Sequence, residues 1–302
     1  MERVIAIFGP TASGKTAVAE EVARRIPAEL VSADAMQVYC GLPVLTNQSE
    51  HPARLVGYLG LEQESSVADY QRRAHAAVDE ILAAARTPVV VGGTGLYLRA
   101  ALAELELPPP PPPGTRERLE RLYDEQGPER AHALLAERDA VAATAVHPND
   151  RRRVVRALEL AEAGSSLRPG EDTLWSGETR HPTRIFGLEV PPEEIRRRIE
   201  QRTHEMFERG VEEEVARALS DPISATARMI HGLQDIAELP RAEAIEALVA
   251  RTRRYAAYQR KWMRRIPGIV LLDADRPAAD VAGEIVARPG PAASFGSVAP
   301  AR

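Results

Sequence analysis

The sequence VIAIFGPTASGKTAVAEEVARRI, residues 4–26, joins a short apolar run to an amphipathic segment through a loop that contains glycine. The loop, residues 9–16, matches the pattern G-x-x-x-x-G-K-[ST] of phosphate-binding loops, or P-loops. We predict a buried strand over residues 4–8, because that run is rich in β-branched side chains. We predict a helix over residues 14–26, because valines recur on one face. This order of elements is typical of an α/β fold.

The loop residues have the chemistry that a bound phosphate group requires. Glycines let successive backbone N–H groups point into one concavity, and the N-terminus of the following helix adds a positive dipole. Lys15 supplies a compact charge and is one of only two lysines among 39 basic residues, the other being Lys261. The hydroxyl of Thr16 can bind Mg²⁺. The predicted phosphate-binding residues are Gly9, Pro10, Thr11, Ala12, Ser13, Gly14, Lys15 and Thr16.

Strands and helices continue to alternate after the loop. Further strands are predicted over residues 29–34, 88–91, 183–190 and 268–272, and further helices over residues 67–86, 94–103 and, with breaks near residues 220–224 and at Gly232, 191–265. Such alternation predicts a parallel sheet flanked by helices, like that of P-loop NTPases. Ligands of such sheets bind at the carboxyl ends of the strands.

The pattern changes at residues 108–113, which are six consecutive prolines. Such a run fits neither a helix nor a central strand, and helical, charged sequence follows it to about residue 167. We therefore predict an all-helical insertion, residues 108–182, within a catalytic core of residues 1–107 and 183–287. Residues 288–302 are rich in Pro, Gly, Ala and Ser and are predicted to be a disordered tail.

The composition, 44% hydrophobic and 27% charged, predicts an ordinary globular protein. Apolar runs are too short to span a membrane, and the single cysteine, Cys40, cannot form an internal disulfide, so we expect a cytoplasmic protein. The net charge of -5 argues mildly against a nucleic-acid partner. Two basic clusters, residues 151–156 and 251–265, nevertheless allow a basic surface. Arginine-rich helices are often only solvated faces, so both interpretations stay open.

Polar residues follow the second and third predicted strands. Asp34 ends the second, where a carboxylate can bind Mg²⁺ or accept a proton, although it could instead cap a helix. The third strand ends in glycine, Gly92 and Gly93, and lacks the acidic residue that ATPases and GTPases use to hold Mg²⁺. Transfer of a group to an acceptor is therefore favoured over hydrolysis. Thr94 follows, either facing the same crevice or capping the next helix.

Five motifs, GPTASGKT, SADAMQVY, VGGTGLYLRA, HPNDRRRVVRALE and TRRYAAYQRKW, occur in an order and spacing that resemble the tRNA dimethylallyltransferases, or isopentenyltransferases. The resemblance covers residues 4–272. It implies transfer of a dimethylallyl group from dimethylallyl diphosphate to N6 of adenosine 37, just 3′ of the tRNA anticodon, with release of diphosphate. It also implies Mg²⁺ bound through Thr16, Asp34 as the base that takes the N6 proton, Thr94 beside the reaction, and a monomeric protein.

The same resemblance implies contacts with the anticodon stem-loop of tRNA in three parts of the chain. The residues concerned are Ala35, Met36, Gln37, Arg116, Arg152, Arg153, Arg156, Arg260 and Lys261. Near the last two, Tyr255, Tyr258 and Trp262 could stack on bases or could form the apolar face of their helix.

The chain departs from the usual sequence of that family at two informative positions. Gln234 stands where an arginine usually helps to hold the diphosphate, and Arg251, Arg253 and Arg254 are candidates to replace it. Tyr258 stands where lysine or arginine is usual.

Three other functions stay open at this point. An adenylate dimethylallyltransferase, making free cytokinin from AMP or a related nucleotide, would not need the insertion or its arginines. A P-loop kinase of small molecules would need a compact lid of phosphate-binding arginines. A non-catalytic RNA-binding relative is compatible with the departures at Gln234 and Tyr258.

Overall fold

The structure, a computed structural model, describes residues 4–107, 111–112, 114–167 and 178–288. It divides the chain into two compact units, Met1–Leu105 with Gly177–Arg302 and Glu106–Ser176. The predicted insertion begins at residue 108, two residues after the second unit begins, and ends at residue 182, six residues after that unit ends. Much of the proline run, and all of the predicted tail except its first residue, lie outside the described residues.

The first unit contains one six-stranded sheet. Its strands are β1 (Val4–Phe8), β2 (Ala28–Ser32), β3 (Ala53–Arg54), β4 (Thr87–Gly92), β5 (Thr183–Glu189) and β6 (Val270–Asp273). They are arranged in the order β3-β2-β4-β1-β5-β6, and every neighbouring pair is parallel. The structure therefore confirms the predicted parallel α/β sheet, with the P-loop strand β1 near its centre.

Helices connect and cover these strands, and four of them form the second unit. In chain order they are α1 (Lys15–Arg25), α2 (Val67–Ala83), α3 (Gly95–Leu102), α4 (Thr115–Gln126), α5 (Pro128–Arg138), α6 (Ala140–Ala145), α7 (Arg151–Glu162), α8 (Pro192–Glu208), α9 (Val211–Ala218), α10 (Ala225–Arg228), α11 (Leu233–Glu238), α12 (Arg241–Met263) and α13 (Ala278–Ala287).

The sequence prediction misses some of these elements. The helical stretch predicted over residues 191–265 contains two further breaks, at Gly210, whose φ is +79°, and at Pro240, which precedes α12. Strand β3 is only two residues long and lies at the edge of the sheet, so it has too few side chains to show a pattern. Helix α13 follows the last predicted strand and is absent from the prediction.

The core of the first unit lies where the central strands meet the helices. Every residue of β1 is buried, and Ile7 and Phe186 pack in one cluster with Val22 of α1 and Val281 of α13. A strand buried on both faces shows a continuous apolar run rather than alternation, which is why β1 is recognisable from sequence. Among the described residues, no helix combines the length and the apolar character that crossing a membrane requires.

The second unit has a core of its own. Leu119 of α4, Leu135 of α5 and Leu158 of α7 are completely buried in one cluster. Helix α7 begins at Asp150, whose carboxylate accepts a hydrogen bond from the backbone N–H of Arg153 and so caps the helix.

A loop at the carboxyl end of β2 is held by a buried carboxylate from a distant helix. Glu214 of α9, 3% exposed, accepts hydrogen bonds from the backbone N–H groups of Val44 (2.9 Å) and Leu45 (2.7 Å). Gln37 supports the same loop by donating to the carbonyls of Thr46 (3.3 Å) and Asn47 (3.1 Å). Two buried N–H groups therefore depend on one side chain.

We expect Glu214→Ala to lower the free energy of unfolding by about 2–4 kcal/mol, because it leaves two backbone donors unsatisfied. Urea unfolding followed by circular dichroism measures this change. The neighbouring Glu213 is exposed, so Glu213→Ala is the matched control and should change stability by less than about 0.5 kcal/mol. Equal effects of the two substitutions would contradict this role of Glu214.

Candidate active site

The P-loop has the backbone conformation of an anion-binding loop. Ala12 and Gly14 both have positive φ, +64° and +81°, and Gly14 immediately precedes α1. A left-handed alanine is strained, and such strain is concentrated at functional sites. The hydroxyl of Ser13 is buried and has no hydrogen-bond partner among the residues that the structure describes. A buried polar atom without a partner indicates that a ligand completes the site.

One crevice at the carboxyl end of the sheet brings the P-loop together with the ends of β2 and β4 and with α8 and α12. Its polar lining includes Thr11, Lys15, Thr16, Asp34, Gln37, Arg202, His231, Tyr255 and Gln259. Its apolar lining includes Met36, Leu45, Val56, Met206 and Leu248. Five of the predicted P-loop residues, Gly9, Pro10, Ala12, Ser13 and Gly14, do not line the crevice directly but belong to the loop that does.

Lys15 is the electrostatic centre of the crevice. Burial lowers the pKa of Lys15 to about 8; the charge of Asp34 raises it, and that of Arg202 lowers it further. Two cationic side chains thus lie within range of a single carboxylate. This balance favours a ligand that carries several negative charges.

Arg202 is the functional residue that the sequence prediction missed. Its guanidinium donates a hydrogen bond of 2.8 Å to the hydroxyl of Thr11, and its buried Nε has no partner within residues 4–107, 111–112, 114–167 and 178–288. Burial lowers the pKa of Arg202, and Asp34 opposes that shift. The available signal was its place on α8, in line with the buried Ile199 and Met206 at helical spacing.

The three arginines expected to replace the missing family arginine do not line this crevice. Arg251 pairs with Asp235 at 2.8 Å on the exposed side of α12, and Arg253 pairs with Glu200. Arg254 is exposed. The arginine that lines the crevice is instead Arg202, which α8 supplies from a different part of the chain.

Asp34 lies two residues beyond the end of β2 and does not cap a helix. Its Oδ1 accepts a hydrogen bond of 3.0 Å from the backbone N–H of Met36, within a turn. Its charge influences the pKa of Lys15, and also those of His231 and Tyr255. The carboxylate therefore lies among the polar groups of the crevice.

Thr94 immediately precedes α3, at the N-cap position, but its hydroxyl makes no hydrogen bond that caps that helix. It accepts a hydrogen bond from the backbone N–H of Ala35 (3.4 Å) and lies 3.4 Å from the hydroxyl of Tyr255. Burial raises the pKa of Tyr255 to about 12, so this hydroxyl stays protonated. The ring of His231 packs edge-on against that of Tyr255, with 4.5 Å between the ring centres. Burial lowers the pKa of His231, which favours its neutral form at pH 7.

The arginines predicted to bind tRNA in the second unit fall into two pairs. Arg116 binds the buried carboxylate of Glu159 at 2.6 and 3.0 Å, and Arg156 binds it at 2.9 Å. Burial alone would raise the pKa of Glu159, but the two arginines outweigh burial and lower it. Arg152 and Arg153 are exposed and make no ion pair with any described residue. The second pair is therefore the more accessible to a phosphate backbone.

The aromatic residues of α12 have different environments. Tyr255 faces the crevice, whereas Tyr258 is 55% exposed and lies 6.0 Å, ring to ring, from Trp262. The two predicted tRNA-binding residues of this helix differ too, since Arg260 is half-buried and Lys261 is exposed. Helix α12 thus presents one face to the crevice and a basic, aromatic face elsewhere.

The oxygen atoms of the crevice suit Mg²⁺ only together with a bound phosphate group. The described residues contain no cluster of three or more His, Cys, Asp or Glu that could hold a metal ion. Thr16 and Asp34 both line the crevice, and Mg²⁺ is commonly held by one or two protein oxygens plus substrate phosphates. This donor set fits Mg²⁺ that arrives with an anionic substrate.

A P-loop beside a strand that ends in glycine, β4, with the carboxylate of Asp34 lining the same crevice, defines a class of protein that binds a phosphorylated donor and transfers a group from it. The family model described as IPP transferase matches residues 37–266, and one described as isopentenyl transferase matches residues 2–55. The chain belongs to the IPP transferase family.

Curated relatives agree with this assignment. A tRNA dimethylallyltransferase of Thermobifida fusca is 40% identical over 295 residues, which are 92% of each chain. One of Mycobacteroides abscessus is 37% identical and covers 95% of this chain and 98% of its own.

Solved structures agree as well. The tRNA isopentenylpyrophosphate transferase of Bacillus halodurans has a TM-score of 0.67 at 29% identity, covering 95% of this chain and 96% of its own. A eukaryotic dimethylallyltransferase acting on tRNA shares the fold, with a TM-score of 0.75 at 24% identity, covering 97% and 82%.

We expect Lys15→Met to stabilise the ligand-free protein at pH 7, because it removes a buried charge. Lys15 is partly exposed and solvent screens its charge, so the expected gain is only about 1–2 kcal/mol. The pKa of Lys15 in the folded protein, about 8, lies below the ordinary lysine pKa of 10.5 that applies to the unfolded chain. The penalty is therefore complete below pH 8 and disappears as the pH rises toward 10.5. Urea unfolding at pH 7 and pH 10 measures it.

The control is Lys261→Met. Lys261 is the other lysine of the sequence and is exposed, so this substitution should change stability little at either pH. A wild-type protein that is more stable than Lys15→Met at pH 7 would contradict this electrostatic account.

Proposed function

We propose that the protein transfers a dimethylallyl group from dimethylallyl diphosphate to N6 of adenosine 37 of tRNA and releases diphosphate. One observation carries this proposal within the family. A single crevice contains a cationic phosphate end, formed by Lys15 and Arg202, and the carboxylate of Asp34, and the hydroxyl of Thr94 accepts a hydrogen bond from the backbone N–H of the next residue, Ala35. This arrangement suits a diphosphate that leaves from carbon while an amine attacks.

The phosphate end holds the leaving group. Lys15 supplies a compact charge, and Arg202 supplies a fork of donors already oriented by Thr11. The buried hydroxyl of Ser13 gains a partner when a phosphate oxygen is bound. When Mg²⁺ is bound with the diphosphate, held by Thr16, it neutralises charge on the leaving group.

The acceptor end handles the proton. N6 of adenosine forms a bond to the first carbon of the dimethylallyl group while the bond from that carbon to the diphosphate oxygen breaks. Asp34 accepts a proton from the nitrogen as it attacks. The exocyclic amine is a poor nucleophile, and loss of the proton relieves the positive charge that develops on it. The hydroxyls of Thr94 and Tyr255 lie beside that position and orient the base. The apolar side chains of Met206 and Leu248 line the crevice and accommodate the prenyl group.

We propose that RNA recognition uses exposed cations in both units. Arg152 and Arg153 of the second unit bind phosphates, while Arg116 and Arg156 also hold Glu159. Contacts in the first unit are assigned to Ala35, Met36, Gln37, Arg260 and Lys261. RNA outside regular helices is bound largely through phosphates and splayed bases.

The other functions are not favoured. The family assignment separates the chain from P-loop kinases, and its relatives are named for tRNA rather than for free adenylate. Arg202 supplies a cation for the diphosphate, so the glutamine at position 234 does not imply a non-catalytic protein. We further propose a monomer that acts in a reducing cytoplasm, where the exposed thiol of Cys40 stays unpaired.

The proposal is tested by supplying dimethylallyl diphosphate and Mg²⁺ with one of three acceptors: unmodified tRNA, the same tRNA with guanosine in place of adenosine 37, or AMP. Digestion and mass spectrometry then detect prenylated adenosine. Product from the first acceptor alone supports the proposal. Product from AMP instead would identify an adenylate prenyltransferase.

We expect Arg202→Ala to raise KM for dimethylallyl diphosphate at least about tenfold, because it removes a charged donor from the phosphate end. Steady-state kinetics with saturating tRNA measures this change. Arg251→Ala removes an arginine of α12 that pairs with Asp235 outside the crevice, so it is the control and should leave this KM unchanged. The reverse order of effects would restore Arg251 as the diphosphate-binding residue.

We expect the double substitution Arg152→Ala and Arg153→Ala to weaken tRNA binding and to reduce the slope of log affinity against log salt by about one to two. Fluorescence anisotropy across a salt titration measures both quantities. Arg130, which lies in the same unit near Glu137, provides the control Arg130→Ala. An unchanged salt slope would exclude Arg152 and Arg153 from the RNA interface.

A further inference from the structure

A single buried glutamine of α12 connects the two halves of the candidate site. Gln259 is 2% exposed. Its Oε1 accepts a hydrogen bond of 2.8 Å from the backbone N–H of Thr11 in the P-loop. Its Nε2 donates a hydrogen bond of 2.8 Å to the carbonyl of Gly93, the residue before Thr94. Both polar ends of the amide are thus bound to backbone groups of two different loops.

Each of these loops carries a group with a chemical role in the proposed reaction. Thr11, whose N–H binds Gln259, accepts through its hydroxyl the hydrogen bond from Arg202. Gly93, whose carbonyl binds Gln259, is followed by Thr94, whose hydroxyl lies 3.4 Å from that of Tyr255. Thr11 therefore connects the amide of Gln259 to Arg202, the cation proposed to bind the diphosphate. Gly93 connects the same amide to Thr94, whose hydroxyl is proposed to lie beside the acceptor.

We propose that Gln259 is a positioning residue that sets the distance between the diphosphate-binding loop and the Thr94 loop, and so aligns the leaving group with the attacking nitrogen. This inference rests on the proposed function. Gln259 is not itself a catalytic residue, because it acts through Thr11 and Gly93. Its contribution is to fix the relative placement of the two loops beyond the last paired residues of β1 and β4, Phe8 and Gly92.

The space around Gly93 supports this role. A Cβ atom at position 93 would lie 2.3 Å from the Nε2 of Gln259 and 2.9 Å from the carbonyl oxygen of Gly9. The β4–α3 loop and the P-loop therefore approach each other as closely as backbone allows, with the amide of Gln259 between them. This close contact leaves no room for a side chain at position 93 or for a longer side chain at position 259.

Both hydrogen bonds require the amide, which offers an acceptor and a donor at the correct length. An apolar side chain of the same size would leave an N–H and a C=O group buried without partners, and the loops would be free to separate. Displacement of reacting groups by about 1 Å can reduce a rate by about a hundredfold. Loss of Gln259 should therefore affect chemistry, and not only stability.

The test compares Gln259→Met with Gln71→Met. Gln71 of α2 is the matched control, because it is also buried, at 8% exposure, and its amide also bridges backbone groups, the N–H and the carbonyl of Leu105. It does not line the crevice. Three quantities are measured for both variants: the melting temperature, the affinity for inorganic diphosphate with Mg²⁺ by calorimetry, and kcat with both substrates saturating.

We expect both substitutions to lower the melting temperature. Only Gln259→Met should weaken diphosphate binding, by about tenfold, and lower kcat, by about a hundredfold. If Gln259→Met lowers the melting temperature but leaves kcat and diphosphate affinity within twofold of the wild type, the proposal is wrong. Equal kinetic losses in both variants would also overturn it.

If Gln259→Met does not fold, Gln259→Asn decides the matter, because it keeps an amide that is one methylene too short to reach both loops. We expect it to lower kcat and diphosphate affinity in the same direction, and wild-type values for both would overturn the proposal. Inorganic diphosphate binding does not depend on the identity of the acceptor. A wild-type protein that binds diphosphate but prenylates no tRNA would therefore refute the proposed function and leave the diphosphate measurement on Gln259 intact.

Discussion

The rest of the structure depends on the attraction between an anionic ligand and buried hydrogen-bond donors of the protein, two of them cationic. The protein itself does not supply enough negative charge to balance them. Lys15 and Arg202 share the influence of a single carboxylate, Asp34, and the hydroxyl of Ser13 has no hydrogen-bond partner in the described part of the chain. The folded protein bears this cost in the absence of ligand. The fully buried β1, the rigid α1 and the packing of α8 hold these groups in place until a phosphate group compensates them.

The parts of the fold and site that were predictable from sequence are those determined by neighbours along the chain. The P-loop motif, the buried strand β1 and the glycine end of β4 each lie within one short segment. Their chemistry follows from local backbone geometry, so the pattern of residues is sufficient. Asp34 and Thr94 were also identified as candidates, but only the structure excludes the alternative that they cap helices.

The parts that were not predictable depend on contacts between distant segments. Arg202 reaches Thr11 across 191 positions, and Gln259 reaches it across 248. Nothing local distinguishes Arg202 from its neighbours in α8 except its position on the buried face. The pairing of Arg116 with Glu159, 43 positions away, is equally invisible from sequence, although it separates a structural arginine from accessible ones.

The strand order has a consequence for the way the chain acquires its structure during synthesis. Strand β1 is the first to emerge, and it pairs with β4 on one side and with β5 on the other. Between β4 and β5 the whole second unit must be translated, so one edge of β1 waits unpaired while some ninety residues are added. An apolar strand with an open edge is a template for aggregation. The P-loop strand is thus a segment of the nascent chain whose apolar edge stays exposed until the second unit has been made.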